Sequence, residues 1–203
     1  MFEFKNNKLW MIGISAVFII QSIILFFWEE TKFLTFANIL ILLASVIGYG
    51  RWRFYKKFQN DVLKYLDKEV SLPDSILTET DILHLPKPVK KYIRYTGSVG
   101  QPKINNFKII FNGKIRKDDQ SEWMPFTSEQ YNFPGSSVRL FFMKAVMKKL
   151  PVAGYHCFID GDAFMDIRLL SLFKVQYLEG EEMDMAETVT FFNDICCMAP
   201  GVN

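Results

Sequence analysis

The residues of this chain able to do chemistry are few and scattered. Two histidines occur among 203 residues, His84 between Leu83 and Leu85 and His156 beside Cys157, and the remaining thiols are the neighbours Cys196 and Cys197. A zinc site built from His156, Cys157, Cys196 and Cys197 would need strand neighbours to point the same way, whereas adjacent strand residues face opposite sides. Asp160, Asp162 and Asp166 have the opening of a calcium loop but lack its sixth-position glycine and closing glutamate. Glu129, Asp160 and Glu187 are the carboxylates a hydrolase would use as acid and base. Edge polarity, turn formation and helix-dipole complementarity account for each of them without catalysis. No nucleophile elbow, zinc-protease pattern, P-loop or dinucleotide fingerprint is present. No metal or cofactor is expected, and no catalytic residue is assigned.

The elements that would carry these residues divide sharply by charge. Leu9 to Trp28 and Phe33 to Gly50 contain none of the 24 basic and 22 acidic side chains. Each is long enough to cross the apolar core of a bilayer, and each must be helical there because lipid satisfies no backbone polar group. The first block lacks a small-residue cleavage site and is followed almost at once by the second, so a membrane hairpin is expected and not a signal peptide. Trp10 and Trp28 bracket the first span, and Tyr49 and Trp52 end the second, where amphipathic rings favour the interface. Lys5 and Lys8 precede the pair, Lys32 faces Glu29 and Glu30 in the connection, and Arg51, Arg53, Lys56 and Lys57 follow. This bias predicts a multi-pass protein of the cell membrane with both ends, and the domain after the hairpin, in the cytoplasm. Three cysteines with no glycosylation acceptor suggest no disulfide framework.

Arg51 to Val70 continues as a helix, with Phe54, Phe58, Val62 and Leu66 recurring every four residues until Pro73 stops it. Its segment 51–68 sums to +4, a juxtamembrane collar in which Arg51, Arg53, Lys56 and Lys57 are the expected contacts with an anionic membrane surface. A polar connector leads to Pro86-Lys87-Pro88, which opens a short helix ending at Gly97 with a cationic stripe of Lys87, Lys90, Lys91 and Arg94.

From Lys103 the hydrophobic period becomes two. Phe107 to Ile115, Glu122 to Phe133, Ser137 to Met147, Tyr155 to Ile159 and Ala163 to Leu170 read as at least five antiparallel strands, with turns at Asp118-Asp119-Gln120 and Asp160-Gly161-Asp162. The third is apolar on both sides: Leu140, Phe142 and Val146 on one, Phe141, Met143, Ala145 and Met147 on the other. Glu181 to Ala199 returns to helical spacing. Its stripe of Met185, Val189, Phe192 and Cys196 is expected to pack on the sheet, and acidic residues fill its first turn. The fold class is α+β, a transmembrane helical hairpin followed by a curved antiparallel sheet packed by helices. Residues 1–50 form the hairpin, 51–80 the basic juxtamembrane helix and linker, and 81–203 the β domain. One helix cannot cover two apolar faces, so the second face is expected to close over an apolar ligand, or to be covered by further structure or a partner, with an ordinary two-sided core as the plain alternative.

Leu85-Pro86-Lys87-Pro88-Val89 with Tyr92 and Gly97, Gly100-Gln101-Pro102, Trp123-Met124-Pro125-Phe126 with Gln130, Asp160-Gly161, Arg168 to Val175 and the helix ending Met198-Ala199-Pro200 together resemble a bacterial family, a domain of unknown function. The resemblance implies two N-terminal membrane spans and a β-rich domain similar to the open barrels that carry lipoproteins or lipids. It also implies further strands beyond the last helix, so the chain is expected to be a C-terminally truncated form. Ser171 and Lys174 stand where the family has glycine and proline.

These readings converge on a membrane-anchored module that binds an apolar molecule or lipid. Trp123, Phe126, Phe141 and Met143 would wall the site, and Gln130 and Arg168 would orient a polar head. The alternatives are a scaffold for another membrane protein and, third, a hydrolase of lipid or envelope substrates. The expected partners are the bilayer and an apolar small molecule or a second membrane protein. Nucleic acid is not expected, because the domain beyond the collar is net acidic.

Overall fold

The computed structural model describes residues 8–69, 75–116 and 118–200. Lys5 of the leading flank, the expected helix stop at Pro73 and the terminal 201–203 lie outside the described residues. Helices α1 (Leu9–Phe26) and α3 (Leu34–Glu69) are joined by one short turn of helix, α2 (Trp28–Thr31). Both α1 and the first half of α3 are long and apolar enough to cross a bilayer. They approach closely, because Gly13 faces Ser45 and Gly48 faces Trp10, and a Cβ at Gly13 would collide with the Ser45 side chain. Within this apolar pair Asn38 donates to the Val17 carbonyl at 3.0 Å and to Gln21 Oε1 at 2.9 Å, so a polar contact joins the two helices beside the close approach of small residues. The rings of Trp10, Tyr49 and Trp52 gather at one end, with centroids 4.8, 5.3 and 6.0 Å apart.

The domain that follows contains α4 (Lys87–Tyr95), a six-stranded sheet and α5 (Glu181–Met198). The strands are β1 (Phe107–Ile115), β2 (Met124–Phe133), β3 (Val138–Met147), β4 (Leu150–Ile159), β5 (Asp162–Leu169) and β6 (Phe173–Glu179). They pair in sequence order, each antiparallel to the next, as an open meander. Strand period and register place Tyr131, Leu140, Cys157 and Phe164 with Glu129, Phe142, Tyr155 and Asp166 on one face. Asn132, Arg139, Phe158 and Ala163, with Gln130, Phe141, His156 and Met165, lie on the other. β6 continues the sheet beyond the strands expected from sequence, and its Phe173 and Val175 are exposed.

The first face is covered by α3, which does not end at the last apolar turn but runs on over the sheet. Phe54, Tyr55, Phe58, Val62 and Tyr65 pack on Phe133, Val138, Leu140, Phe142, Tyr155 and Cys157 in one cluster. Phe58 is the centre, with Phe142 at 5.4 Å and Tyr155 at 5.6 Å between ring centroids. The four-residue spacing over 54–66 therefore builds the core of the sheet domain, and each fully buried ring contributes about 2–3 kcal/mol by burial alone. Of the covers expected for the second apolar face, this one is further structure of the chain itself: the helix leaving the apolar pair fills the face with interlocked rings.

The opposite face is crossed at one end by α5, and here the expected packing is reversed. Met185, Val189 and Phe192 point outward, 58%, 60% and 64% exposed, while Glu187 and Phe191 are buried. Phe191 meets Phe158 at 5.4 Å beside Ala163, Met183 and Ile195. The helix is rotated by its acids: Asp184 accepts the Ala163 backbone N–H at 2.6 Å, and Glu187 and Asp194 reach the β3 guanidinium of Arg139. Apolar spacing on a single helix cannot register such distant partners.

Candidate functional site

The densest polar arrangement lies between α5 and the sheet. On β2, Gln130 and Asn132 share a face; Asn132 is paired in register with Arg139, and Gln130 with Phe141, whose neighbour on β4 is His156. Glu187 and Asp194 are seven residues apart on α5, two turns, and so descend on the same side. Arg139 donates to Glu187 Oε2 at 2.8 Å, to Asp194 Oδ2 at 2.8 Å and to Gln130 Oε1 at 3.2 Å. Gln130 in turn donates to Asp194 at 2.7 Å, and His156 Nδ1 lies 3.4 Å from Glu187 Oε1. Burial pulls the Glu187 carboxyl upward, but the His156 hydrogen bond and the Arg139 charge outweigh it and hold the group below the usual carboxylate range. The network is directional and buried, so it fixes where α5 sits. Two fully buried groups on this face have no partner among the described residues, the Ser128 hydroxyl and Asn132 Nδ2, and they flank Gln130.

Of the residues expected to form a ligand site, four share this face. Phe126, Gln130, Phe141 and Met143 line it, Gln130 at the α5 end and Phe126 two register rows further away. Phe126, Phe141 and Met143 are half-buried with Phe111 and Ile167 around them. Trp123 lies just outside β2, exposed, under the Arg116 guanidinium at 4.7 Å. Arg168 is not with the others: it is on the α3 face, paired with Asp166 at 2.6 Å and lying over Phe54 at 4.4 Å. Of the basic collar, Arg51 and Arg53 are exposed and Lys56 half-buried, while Lys57 lies over the Phe164 ring at 4.5 Å, against the sheet.

The α3 face holds a second polar set. Glu129 accepts from Tyr55 at 2.7 Å and pairs with Lys108 at 2.6 Å; Tyr155 donates to Asp61 at 2.7 Å. Burial, reinforced by Glu129, raises the Tyr55 phenol, and burial pushes the Cys157 thiol up to about 11. Burial likewise lowers Lys144 to about 8, opposed by Glu129 and helped by Arg51. The carboxylates considered for acid–base work are thus divided by the sheet, Glu129 on one side and Glu187 on the other. His156 and Cys157 are divided in the same way, and no group of three metal-ligating side chains gathers among the described residues.

The Arg139–Glu187–Asp194 set was missing from the sequence reading. The available signal was Arg139 itself, a single cation inside the apolar run Val138-Arg139-Leu140-Phe141-Phe142. A charge so placed is buried and needs partners.

Fold and site together define an α+β domain whose open antiparallel sheet is clamped between two helices. The chain belongs to a family of unknown function (DUF6544), which matches residues 75–203. No curated protein and no solved structure matches it.

Proposed function

We propose that this is a membrane-anchored binding module, tethered by α1 and the first half of α3, that takes a lipid or acyl chain on the part of the sheet face α5 leaves open. The observation that carries the reading is the make-up of that face. Phe126, Phe141 and Met143 form a half-buried apolar floor that ends at Gln130 and has the unpartnered Ser128 hydroxyl within it, in the row of Met143. Apolar walls with a few convergent polar groups are the usual construction of a small-molecule site. The α3 face is filled by interlocked rings. The excess of Lys and Arg at Lys8 and Arg51 to Lys57 over the α2 turn favours a cytoplasmic domain.

Native mass spectrometry of the full chain released from nanodiscs tests the ligand: a lipid adduct is expected, and Met143→Glu removes it while circular dichroism is unchanged. A folded protein with no adduct overturns the reading. Alkaline carbonate extraction tests the anchor, and protease access in sealed vesicles its sidedness.

A second reading, a scaffold for another membrane protein, is favoured by Met185, Val189 and Phe192, which put three large apolar side chains on the outer side of α5. Crosslinking in intact membranes from position 189 would trap a stoichiometric partner.

A further inference from the structure

The connections of a meander alternate between two ends, and α3 labels those ends. Tyr65 meets Phe133 at 5.6 Å, whereas Phe54 and Tyr55 meet Phe142 at 5.3 and 5.2 Å, so α3 and β3 run antiparallel along each other. Phe133 is paired with Val138. From Val138 to Phe142 is about 13 Å along a strand, and from Tyr55 to Tyr65 about 15 Å along a helix, so the axes are nearly parallel. The turns β2–β3 and β4–β5 therefore lie at the end away from the apolar helices. The turns β1–β2, β3–β4 and β5–β6 lie at the end beside them, and a direct contact agrees: a Cβ at Gly50 would collide with Leu172 of the β5–β6 turn.

Two contacts fix how far the β3–β4 tip reaches. Pro151 accepts the Leu170 N–H at 2.8 Å, and Leu172, two residues on, lies against Gly50, so the tip stands beside the last apolar turn of α3, where Tyr49 and Trp52 gather with Trp10. The tip is Met147-Lys148-Lys149-Leu150, with Met147 and Leu150 41% and 47% exposed. No carboxylate occurs from 140 to 159, while Lys144, Lys148 and Lys149 do.

Its backbone is also chosen against the turn. Lys148 and Lys149 take φ of 49° and 68°, a conformation in which a two-residue hairpin favours Asn-Gly or Asp-Gly. The β4–β5 turn at the opposite end has that pair, Asp160 at 52° and Gly161 at 99°. Two lysines between two exposed apolar residues are therefore not there for the turn. Side chains of this kind suit the lipid headgroup layer, ammonium groups to phosphate and apolar stems below.

We propose that the β3–β4 tip is a second membrane contact, in which Met147 and Leu150 enter the bilayer interface and Lys148 and Lys149 hold anionic headgroups. This rests on the bilayer-spanning reading of α1 and α3. The β5–β6 turn with Leu172, followed by the exposed Phe173 and Lys174 at the start of β6, stands beside it. The β1–β2 connection, at the sheet edge, carries Asp118, Asp119 and Glu122 and is not part of the contact. Held at two points, the sheet is oriented relative to the membrane and not merely tethered to it.

The test uses the full chain, with Cys196→Ala and Cys197→Ala, in vesicles of phosphatidylcholine and phosphatidylglycerol. An environment-sensitive fluorophore is placed through Met147→Cys or, as the distal control, Asp162→Cys. The label at 147 is expected to be quenched by doxyl lipids and shielded from aqueous iodide, and the label at 162 to show the converse. Lys148→Asn with Lys149→Gly keeps a good turn and removes the charge; it should reduce the doxyl quenching at 147 several-fold. A label at 147 as accessible to iodide as that at 162, or quenching unchanged by the double substitution, overturns the proposal. Carbonate extraction of the same vesicles separates the two failures. Protein that washes off refutes the spanning helices, whereas protein that stays with a wet 147 refutes the tip contact alone.

Discussion

One face of the sheet is covered by α3 and the other is crossed at one end by α5, and the two helices are attached by different physics. Under α3 the contact is aromatic: Phe54, Tyr55, Phe58 and Tyr65 interlock with Phe133, Phe142 and Tyr155. Under α5 a small apolar cluster about Phe158 and Phe191 is joined by an ionic set: Arg139 stands between Glu187 and Asp194, with Gln130 and His156 completing it. Burial is proportional to area and indifferent to direction, so α3 follows the rule that a helix turns its apolar side inward. A buried guanidinium donates only to properly aimed acceptors, so it orders α5 by its acids and leaves Met185, Val189 and Phe192 outside. The rotation of a packed helix can be set by its acids as well as by its apolar side chains.

The largest way to break this contrast is to empty the aromatic side. Phe58→Ala should cost about 4 kcal/mol, read as a lowered denaturation midpoint of the whole sheet domain in detergent, because its ring joins α3 to β3 and β4 at once. On the ionic side, Arg139→Leu should cost about 3 kcal/mol by leaving two carboxylates facing each other without a counter-charge. Hydrogen exchange should quicken over 181–198 while 54–65 stays protected. Replacing Arg139, Glu187 and Asp194 together by leucine should recover most of the loss. Equal protection of both helices in the single variant would show that the network does not hold α5.

Acid provides a smaller, reversible version. Glu187 is held below its ordinary carboxyl value in the folded state, so its contribution is present above the unfolded pKa and is lost as pH falls through the folded one. Below the ordinary carboxylate range α5 should exchange before α3, and an order reversed or simultaneous would deny the difference between the faces. The smallest effect concerns the ends of the sheet and has the opposite sign. Lys148→Asn with Lys149→Gly should stabilise the domain by about 1 kcal/mol, because the left-handed backbone at both positions disfavours lysine. A destabilised double variant in detergent would mean that the lysines hold the hairpin itself.

Much of the fold was legible because it is written at short range. The two uncharged blocks, the four-residue spacing from Phe54 to Leu66, the alternation through β1 and the Asp160-Gly161 turn each specify an element without help from elsewhere. β6 was not read although Phe173, Val175 and Tyr177 alternate with Lys174 and Gln176; the strand lies at the sheet edge, exposed along its length. Of the expected ligand residues, strand parity grouped Phe126 with Gln130 and Phe141 with Met143. It could not relate Arg168 on β5 to them, because face parity between strands depends on the residues each turn consumes and on how the strands register.

What the sequence determined by itself was a set of local periods and composition: a pair of helices fit for lipid, a meander, and a final helix with acids at its start. Only the tertiary structure decided that α3 would leave the apolar pair and roof the sheet, and that α5 would face it with Glu187 and Asp194. The physical reason is range. Hydrophobic spacing is a property of a few consecutive turns, whereas the worth of a buried carboxylate is set by Arg139, 48 residues from Glu187 and 55 from Asp194 in the chain. They become neighbours only when the sheet is complete.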